Sequence, residues 1–132
     1  MNRSQEREQA FLVLFEKSFN PEASTEELEE LAIESGFVSP SDYADRLLDT
    51  AEQHLGEIDE TIQKYAIGWS LDRLSKVALS IMRLSICEMK YMEDIPEGVS
   101  INEAVELAKK YAGKEDSSYI NGVLGSVSRA DA

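Results

Sequence analysis

Few side chains in this sequence combine a residue type and a spacing that would support catalysis. His54 is the only histidine, and no serine or cysteine nucleophile accompanies it in a recognisable motif. Cys87 is the only cysteine, and it lies in an apolar stretch that would not activate its thiol. We therefore expect His54 to be a surface residue and Cys87 to be a small buried hydrophobe, in a protein that is not an enzyme.

Two further patterns have an ordinary structural interpretation. The glutamates of residues 26–34 could ligate a metal, but the ligand spacing of a calcium loop is missing and a solvated helix face is the commoner meaning. Gly122 and Gly125 do not form a phosphate-binding loop, because they lie in a predicted helix where close packing is the expected reason for a glycine. The sequence predicts neither a metal nor a cofactor.

The acidic residues are concentrated in one segment. Residues 22–60 hold thirteen of the 26 Asp and Glu residues but only one of the 13 Lys and Arg residues, Arg46. The rest of the chain is therefore close to neutral, although the formal net charge is −13. This distribution allows a small basic binding surface and excludes a broad one.

The composition is that of a folded domain in a reducing compartment. A chain of 132 residues can bury roughly two-thirds of its unfolded surface in one core. There is no apolar run of membrane-spanning length and no basic-then-apolar leader, and a single cysteine excludes an intramolecular disulfide. We expect a single domain over residues 1–132, located in the cytoplasm and not in a membrane.

The stretch from residue 70 to residue 91 predicts the helix that positions the others. Its apolar residues recur at intervals of three and four, and further apolar residues fill the remaining sides. A helix that is apolar nearly all round is normally surrounded by other helices. We expect Ser70 to cap its N-terminus and the helix to form the centre of a bundle.

Four helices are predicted before it. The first covers residues 4–19 and ends before a proline. Ser24 opens the second in capping-box spacing, and Gly36 closes it as a left-handed cap. Pro40 is expected at the first position of the third helix, which Gly56 ends, and a short fourth helix follows.

Two helices are predicted after the central one. Ser100 and Glu103 have capping-box spacing and are expected to open the sixth helix, which Gly113 ends. Asp116 or Ser117 is expected to cap the last helix. No stretch alternates long enough for a strand, so the fold class is all-α.

Several stretches resemble the NusB transcription antitermination family. Residues 69–73 (W-x3-R), 81–84 (IMRL) and 88–89 (EM) resemble its W…R…LR…YEL helix. Residues 96–109, which contain VSINEAVELAK, resemble its P…VxINEAVELAK signature, and residues 119–124 (YINGVL) resemble its F-[VI]-N-G-V-L. The opening resembles the family's arginine-bearing N-terminus, with Arg3, Arg7, Glu8 and Ala10 in matching positions.

The resemblance implies a compact all-α fold of about seven helices, in two packed subdomains around the central helix. It also implies a non-catalytic role in transcription antitermination. Family members pair with NusE, a small-subunit ribosomal protein. The pair binds the boxA element of nascent RNA and helps assemble an antitermination complex on RNA polymerase, notably over ribosomal RNA operons.

The resemblance also implies which residues bind. The expected RNA-binding residues, at the N-terminus and around the turn before the last helix, are Arg3, Ser4, Arg7, Lys110, Lys114, Glu115, Asp116 and Ser117. Guanidinium groups can take a phosphate or stack on an unpaired base. The positions that match the partner-binding face are Phe15, Phe19 and Ala78. For the two phenylalanines, a place in the core is an equally good interpretation.

Departures from the family pattern predict weak RNA binding by the protein alone. The two arginines are separated by Ser4, Gln5 and Glu6, where the family has a denser basic cluster. The family's lysine before F-[VI]-N-G is Ser118, and a common acidic position before the LR run is Ala78. Each lost phosphate contact lowers the salt dependence of binding by about one unit of slope.

Two alternatives stand beside the leading hypothesis of an RNA-binding factor. The chain could be a protein-binding adaptor with little RNA affinity of its own. An RNA-binding module of ribosomal-RNA methyltransferases is discounted, because these 132 residues contain no methyltransferase domain or cofactor motif. An apolar partner face could also support a homodimer.

Overall fold

The computed structural model describes residues 1–130, which form seven α-helices and one short 3₁₀ turn. The helices are α1 (Arg3–Phe19), α2 (Thr25–Glu34), α3 (Asp42–Gln53), α4 (Leu55–Tyr65), α5 (Lys76–Tyr91), α6 (Glu97–Tyr111) and α7 (Lys114–Ala130), with the 3₁₀ turn at Leu71–Arg73 before α5. The all-α prediction with about seven helices is confirmed.

Helix α5 is the centre of the fold. It contacts α1, α3, α4, α6 and α7, and every residue from Ala78 to Glu88 is buried. Around α5, α1 packs against α2 and α3, α6 packs against α7, and α4 also contacts α7. One cluster of buried apolar side chains runs through the whole bundle and includes Phe11, Leu47, Ile81 and Leu124.

The central helix begins later than predicted. Residues 71–73 form the 3₁₀ turn, Leu74 has extended backbone angles, and α5 starts at Lys76. Its N-cap is Ser75, whose hydroxyl accepts a hydrogen bond from the Ala78 amide at 3.0 Å. The predicted cap at Ser70 is therefore wrong, because the chain bends once more before the apolar run enters the core.

The predicted ends of α2 are confirmed, and two predicted boundaries of α3 are wrong. Ser24 caps α2 through the Glu27 amide at 3.1 Å, and Gly36 adopts the left-handed conformation with φ +78°. The third helix starts at Asp42, not at Pro40, because Ser41 is its N-cap. Gly56 lies inside α4, since the break between α3 and α4 falls at His54.

The predicted caps of the last two helices are wrong. Helix α6 begins at Glu97, so Ser100 lies within its first turns and is 1% exposed. Helix α7 begins at Lys114, and the hydroxyl of Ser117 donates to the Lys114 carbonyl at 2.9 Å instead of accepting from an amide. Both serines bond groups other than the free amides of a helix start.

Candidate nucleic-acid interface

Arg3 presents its guanidinium where α1 meets α3. Its Cζ lies 3.7 Å from the centroid of the Tyr43 ring, and half of the side chain (49%) is exposed. The Glu6 carboxylate, 3.5 Å from the guanidinium, also accepts a hydrogen bond from the Ser41 hydroxyl at 2.6 Å. A planar cation held by an aromatic face and a carboxylate keeps its outer edge open to an anion.

Arg7, one turn further along α1, is buried. It is 4% exposed, and its Nε donates to both oxygens of Glu88 at 3.0 and 2.8 Å. A second nitrogen lies 3.6 Å from the Glu103 carboxylate. The predicted phosphate contact does not fit this geometry, because the guanidinium is directed into the protein and already neutralised.

Glu88 joins four helices. Besides Arg7 on α1, its carboxylate accepts the Ser100 hydroxyl of α6 at 2.8 Å and a short hydrogen bond from the Tyr43 hydroxyl of α3. Burial and the hydrogen bond to Glu88 raise the pKa of Tyr43 to about 12, so the phenol stays a donor at neutral pH. Tyr43 therefore connects Arg3, on the surface, with the buried carboxylate.

Two further predicted residues are tied to neighbouring helices. The Ser4 hydroxyl donates to Glu103 of α6 at 2.7 Å. The Lys110 ammonium of α6 lies 2.5 Å from the Glu8 carboxylate of α1, and this hydrogen bond raises the pKa of Lys110. Both contacts fix α1 against α6, and Lys110 remains 61% exposed while it does so.

The first turn of α7 separates two surface grooves. Lys114 and Ser117 line a groove between α6 and α7, which we call the α6–α7 groove. Glu115 and Asp116 line a second groove, between α7 and the start of α5, which we call the α5–α7 groove. The residues predicted around this turn therefore do not form one surface.

The α5–α7 groove contains one of the residues predicted to bind the partner. Ala78 lies in it and is 3% exposed, so it contributes to its floor. Trp69, half exposed, and Arg73 are on the same groove. The Tyr119 hydroxyl, also on this groove, is buried without a hydrogen-bond partner in residues 1–130.

The two predicted phenylalanines form the outer part of an aromatic row on α1. Phe11 is buried and lies 4.9 Å from the Tyr111 ring. Phe15 is half-buried, and its ring meets that of Phe19 edge-on at 5.0 Å. Phe19 is 57% exposed, so the row starts in the core and ends at the surface.

Cys87 and His54, the residues first considered for catalysis, both pack against other side chains. Burial raises the pKa of the Cys87 thiol to about 12, which leaves it protonated and unreactive. The His54 ring stacks on Tyr91 with centroids 3.9 Å apart. Residues 1–130 hold no group of three or more His, Cys, Asp or Glu side chains that could ligate a metal ion.

The sequence predicts that the acidic face of α2 is exposed to water throughout, but the structure shows one exception. Glu29 is 6% exposed and faces Asp45 and Asp49 of α3. Burial raises the pKa of Glu29 to about 7, and a hydrogen bond and the charge of Asp45 add to the shift. The expectation of an ordinary water-exposed run is therefore wrong at this residue.

The sequence did not identify Tyr43, Glu88 or Trp69 as part of this interface. One signal was present: Glu88 is the only carboxylate among residues 76–91, in a helix that is otherwise mostly apolar. A carboxylate in a buried helix needs a cationic or hydrogen-bonding partner. Its partner in the folded chain is Arg7, 81 positions away.

An all-helical bundle whose surface carries an exposed arginine and two grooves defines a binding module. None of its helices, within residues 1–130, joins the length to the apolar character that a bilayer crossing requires. The model of the NusB family matches residues 4–129, and the chain belongs to this family.

Known proteins of this family are similar over almost the whole chain. The transcription antitermination protein NusB of Clostridium botulinum (strain Kyoto / Type A2) is 44% identical, over 95% of this chain and 98% of the relative. A crystal structure of the antitermination factors NusB and NusE in complex with dsRNA matches with a TM-score of 0.86 and 34% identity, over 97% of this chain and 96% of that chain. T. maritima NusB matches with a TM-score of 0.88 and 30% identity, over 98% of this chain and 92% of that chain.

Proposed function

We propose that this chain is a transcription antitermination factor that binds boxA-type RNA together with NusE. It would act in the cytoplasm, within the antitermination complex on RNA polymerase, and without catalysing a reaction. The observation that carries the proposal is the likeness to a NusB solved with NusE and dsRNA, at 34% identity over 97% of this chain.

The proposed RNA-binding surface starts at the N-terminal end of α1. Arg3 contributes an exposed guanidinium on the Tyr43 ring. Ser4 and Lys110 lie on the neighbouring α1–α6 contact. Lys114, at the start of α7, is exposed and makes no ion pair within residues 1–130. Arg7 is buried beneath this surface, where it bonds to Glu88, and is not expected to touch RNA.

The net charge explains why a partner is needed. A chain with a formal charge of −13 repels the phosphate backbone at long range, and the proposed surface has few cations. A basic partner placed beside this surface would supply the missing phosphate contacts. The proposal therefore expects weak RNA binding by the chain alone and tight binding by the pair.

The proposed NusE-binding surface includes exposed apolar side chains. Phe19, at the end of the α1 row, is 57% exposed, and Trp69, on the α5–α7 groove, is 50% exposed. Large aromatic side chains of this kind often dominate the free energy of protein association. Ala78 allows close approach, because a methyl group leaves the groove open where a longer side chain would fill it.

A titration tests the proposal. Labelled boxA-type RNA is titrated with the chain alone, with NusE alone and with an equimolar mixture, at several salt concentrations. We expect the mixture to bind more tightly than either protein and with a steeper salt dependence. If neither the mixture nor the chain binds this RNA above a scrambled RNA of equal length, the proposal is overturned.

One observation favours a second candidate, a protein-binding adaptor. Arg7 is internal, which leaves Arg3 as the only exposed arginine of the N-terminal pair. The adaptor hypothesis predicts that NusE binds the chain, but that the pair binds RNA no more tightly than NusE alone. The same titration separates the two, because it compares the mixture with NusE alone.

A further inference from the structure

The α6–α7 groove differs in charge from the other surface grooves. Its lining contains two lysines, Lys109 and Lys114, and no carboxylate. Four other grooves on residues 1–130 each contain at least one Asp or Glu. In a chain with twice as many acidic as basic residues, a groove without a carboxylate suits an anionic ligand.

Two asparagines line this groove without a partner. Asn102, on α6, and Asn121, on α7, are both exposed, and neither side chain makes a hydrogen bond within residues 1–130. Asparagine is a poor helix former, and neither side chain is used for a cap or a local backbone contact that would explain it. Both carboxamides are free to bond a ligand in the groove.

A glycine beside Asn121 also lacks a structural explanation. A Cβ on Gly122 would meet no atom within 4 Å, so the close packing expected from the sequence is absent there. Glycine inside a helix costs stability relative to alanine. Three helix-disfavouring residues, Asn102, Asn121 and Gly122, are thus placed at or beside one groove, and no contact within residues 1–130 accounts for them.

The lining suits an unpaired nucleotide. A carboxamide offers an adjacent donor and acceptor, which fit the edge of adenine bidentately. Ile101 and Val105, half-buried in the same groove, provide apolar contact for the base, and the lysines can reach phosphates. Within residues 1–130, Lys109 pairs only with exposed Glu106 at 3.4 Å, a contact that a ligand phosphate can replace.

We propose that the α6–α7 groove binds one or two unpaired nucleotides of RNA, with Asn102 and Asn121 reading base edges and Lys109 and Lys114 holding phosphates. This inference rests on the proposed function and adds a sequence-reading site to it. Lys114, which the proposed function assigns to RNA, lines this groove. Sequence preference then depends on this groove, and Arg3 contributes affinity without preference.

The test compares affinity with base preference. The pair of this chain and NusE is titrated with boxA-type RNA and with a set of RNAs that each carry one base change. For the double variant Asn102→Ala, Asn121→Ala we expect about tenfold weaker binding of the parent RNA and loss of discrimination at one or two positions. Lys114→Ala should weaken the binding of all these RNAs to the same extent and lower the salt slope by about one unit.

Two controls separate binding from folding. Gln63→Ala removes an exposed helical carboxamide of α4 and should change nothing. The double asparagine variant should have an equal or higher Tm, because alanine is the better helix former, and should bind NusE normally without RNA. Weaker RNA binding in a more stable protein cannot be a folding defect.

Three results would overturn the inference. If the double variant keeps its affinity and its base preference, the groove does not recognise RNA, although the proposed function still stands. If the double variant no longer binds NusE when RNA is absent, the groove is a protein-binding surface. If the wild-type pair binds no RNA specifically, the proposed function fails, and this inference fails with it.

Discussion

The Nε of Arg7 donates to both carboxylate oxygens of Glu88, at 3.0 and 2.8 Å, although the two side chains are only 4% and 1% exposed. Glu88 receives two further hydrogen bonds, from Tyr43 and Ser100, so α1, α3 and α6 each contribute a donor. A buried ion pair of this kind contributes little net stability when intact, but removing one partner leaves an unpaired charge.

Arg7→Ala should therefore be strongly destabilising. We expect the free energy of unfolding to fall by about 3–5 kcal/mol, because the Glu88 carboxylate stays buried without its cation. Chemical denaturation monitored by circular dichroism measures this. Arg3→Ala, which removes an exposed arginine one turn earlier, should cost less than about 1 kcal/mol. Equal stability of the two variants would contradict the assigned role of Arg7.

Arg3 should matter for RNA and not for the fold. In the complex with NusE, we expect Arg3→Ala to weaken boxA-type RNA binding about tenfold and to lower the salt slope by about one unit, as for the loss of one charge-assisted phosphate contact. The matched control is Arg129→Ala, since Arg129 is an exposed arginine in the last turn of α7. A similar loss for both variants would mean that only net charge counts.

Phe19 should contribute to partner binding. Its ring is 57% exposed beyond Phe15, and burying it against NusE would remove a large apolar surface from water. We expect Phe19→Ala to weaken NusE binding, measured by calorimetry without RNA, by about 2 kcal/mol. Phe37→Ala, at a 62% exposed residue between α2 and α3, should leave the affinity unchanged. The reverse pattern would place the partner on the acidic side.

Glu29 should make stability depend on pH near neutrality. Its pKa is raised to about 7 in the folded chain, first by burial and then by Asp45, with Asp49 and Glu26 adding negative charge. Glu30 and Asp42 line the same groove, which contains no lysine or arginine. The folded state therefore keeps a proton between about pH 4.5 and 7 that the unfolded state has lost, and stability decreases as the pH rises through this window.

The variant Glu29→Gln isolates this effect. We expect it to be more stable than the wild type at pH 8 by about 1–2 kcal/mol, a figure reduced because the groove is open to water. The difference should vanish near about pH 4, below the ordinary pKa of a glutamate. Chemical denaturation at a series of pH values gives the free energy of unfolding of both proteins as a function of pH. Glu34→Gln, at the exposed end of α2, should show an offset that does not change with pH. A constant offset for Glu29→Gln would refute the raised pKa.

The sequence predicted elements whose cause is local or strongly periodic. The apolar run of α5, the Ser24 cap and the left-handed Gly36 depend on residues within a few positions of each other, and all three are confirmed. Ser100 was assigned wrongly because its spacing to Glu103 fits a capping box, whereas its hydroxyl bonds a buried carboxylate of another helix. A tertiary hydrogen bond replaced the local one.

The candidate interface was harder to predict for the same reason. Arg3 and Arg7 have the same residue type and lie one turn apart on the same side of α1, so no local pattern distinguishes the exposed one from the buried one. Only the position of Glu88, 81 residues further along the chain than Arg7, decides between them. The two grooves beside α7 likewise depend on how α5, α6 and α7 pack, which spacing alone does not give.

The first turn of α7 lies between the two grooves that we propose for RNA and NusE. Lys114 and Ser117 face one groove, and Glu115 and Asp116 face the other, within four consecutive residues. A single helical turn moves as a unit, so a ligand that shifts it in one groove changes the shape of the other. If RNA and NusE occupy the two grooves as proposed, their binding is thermodynamically linked, and each must alter the affinity of the other by the same factor.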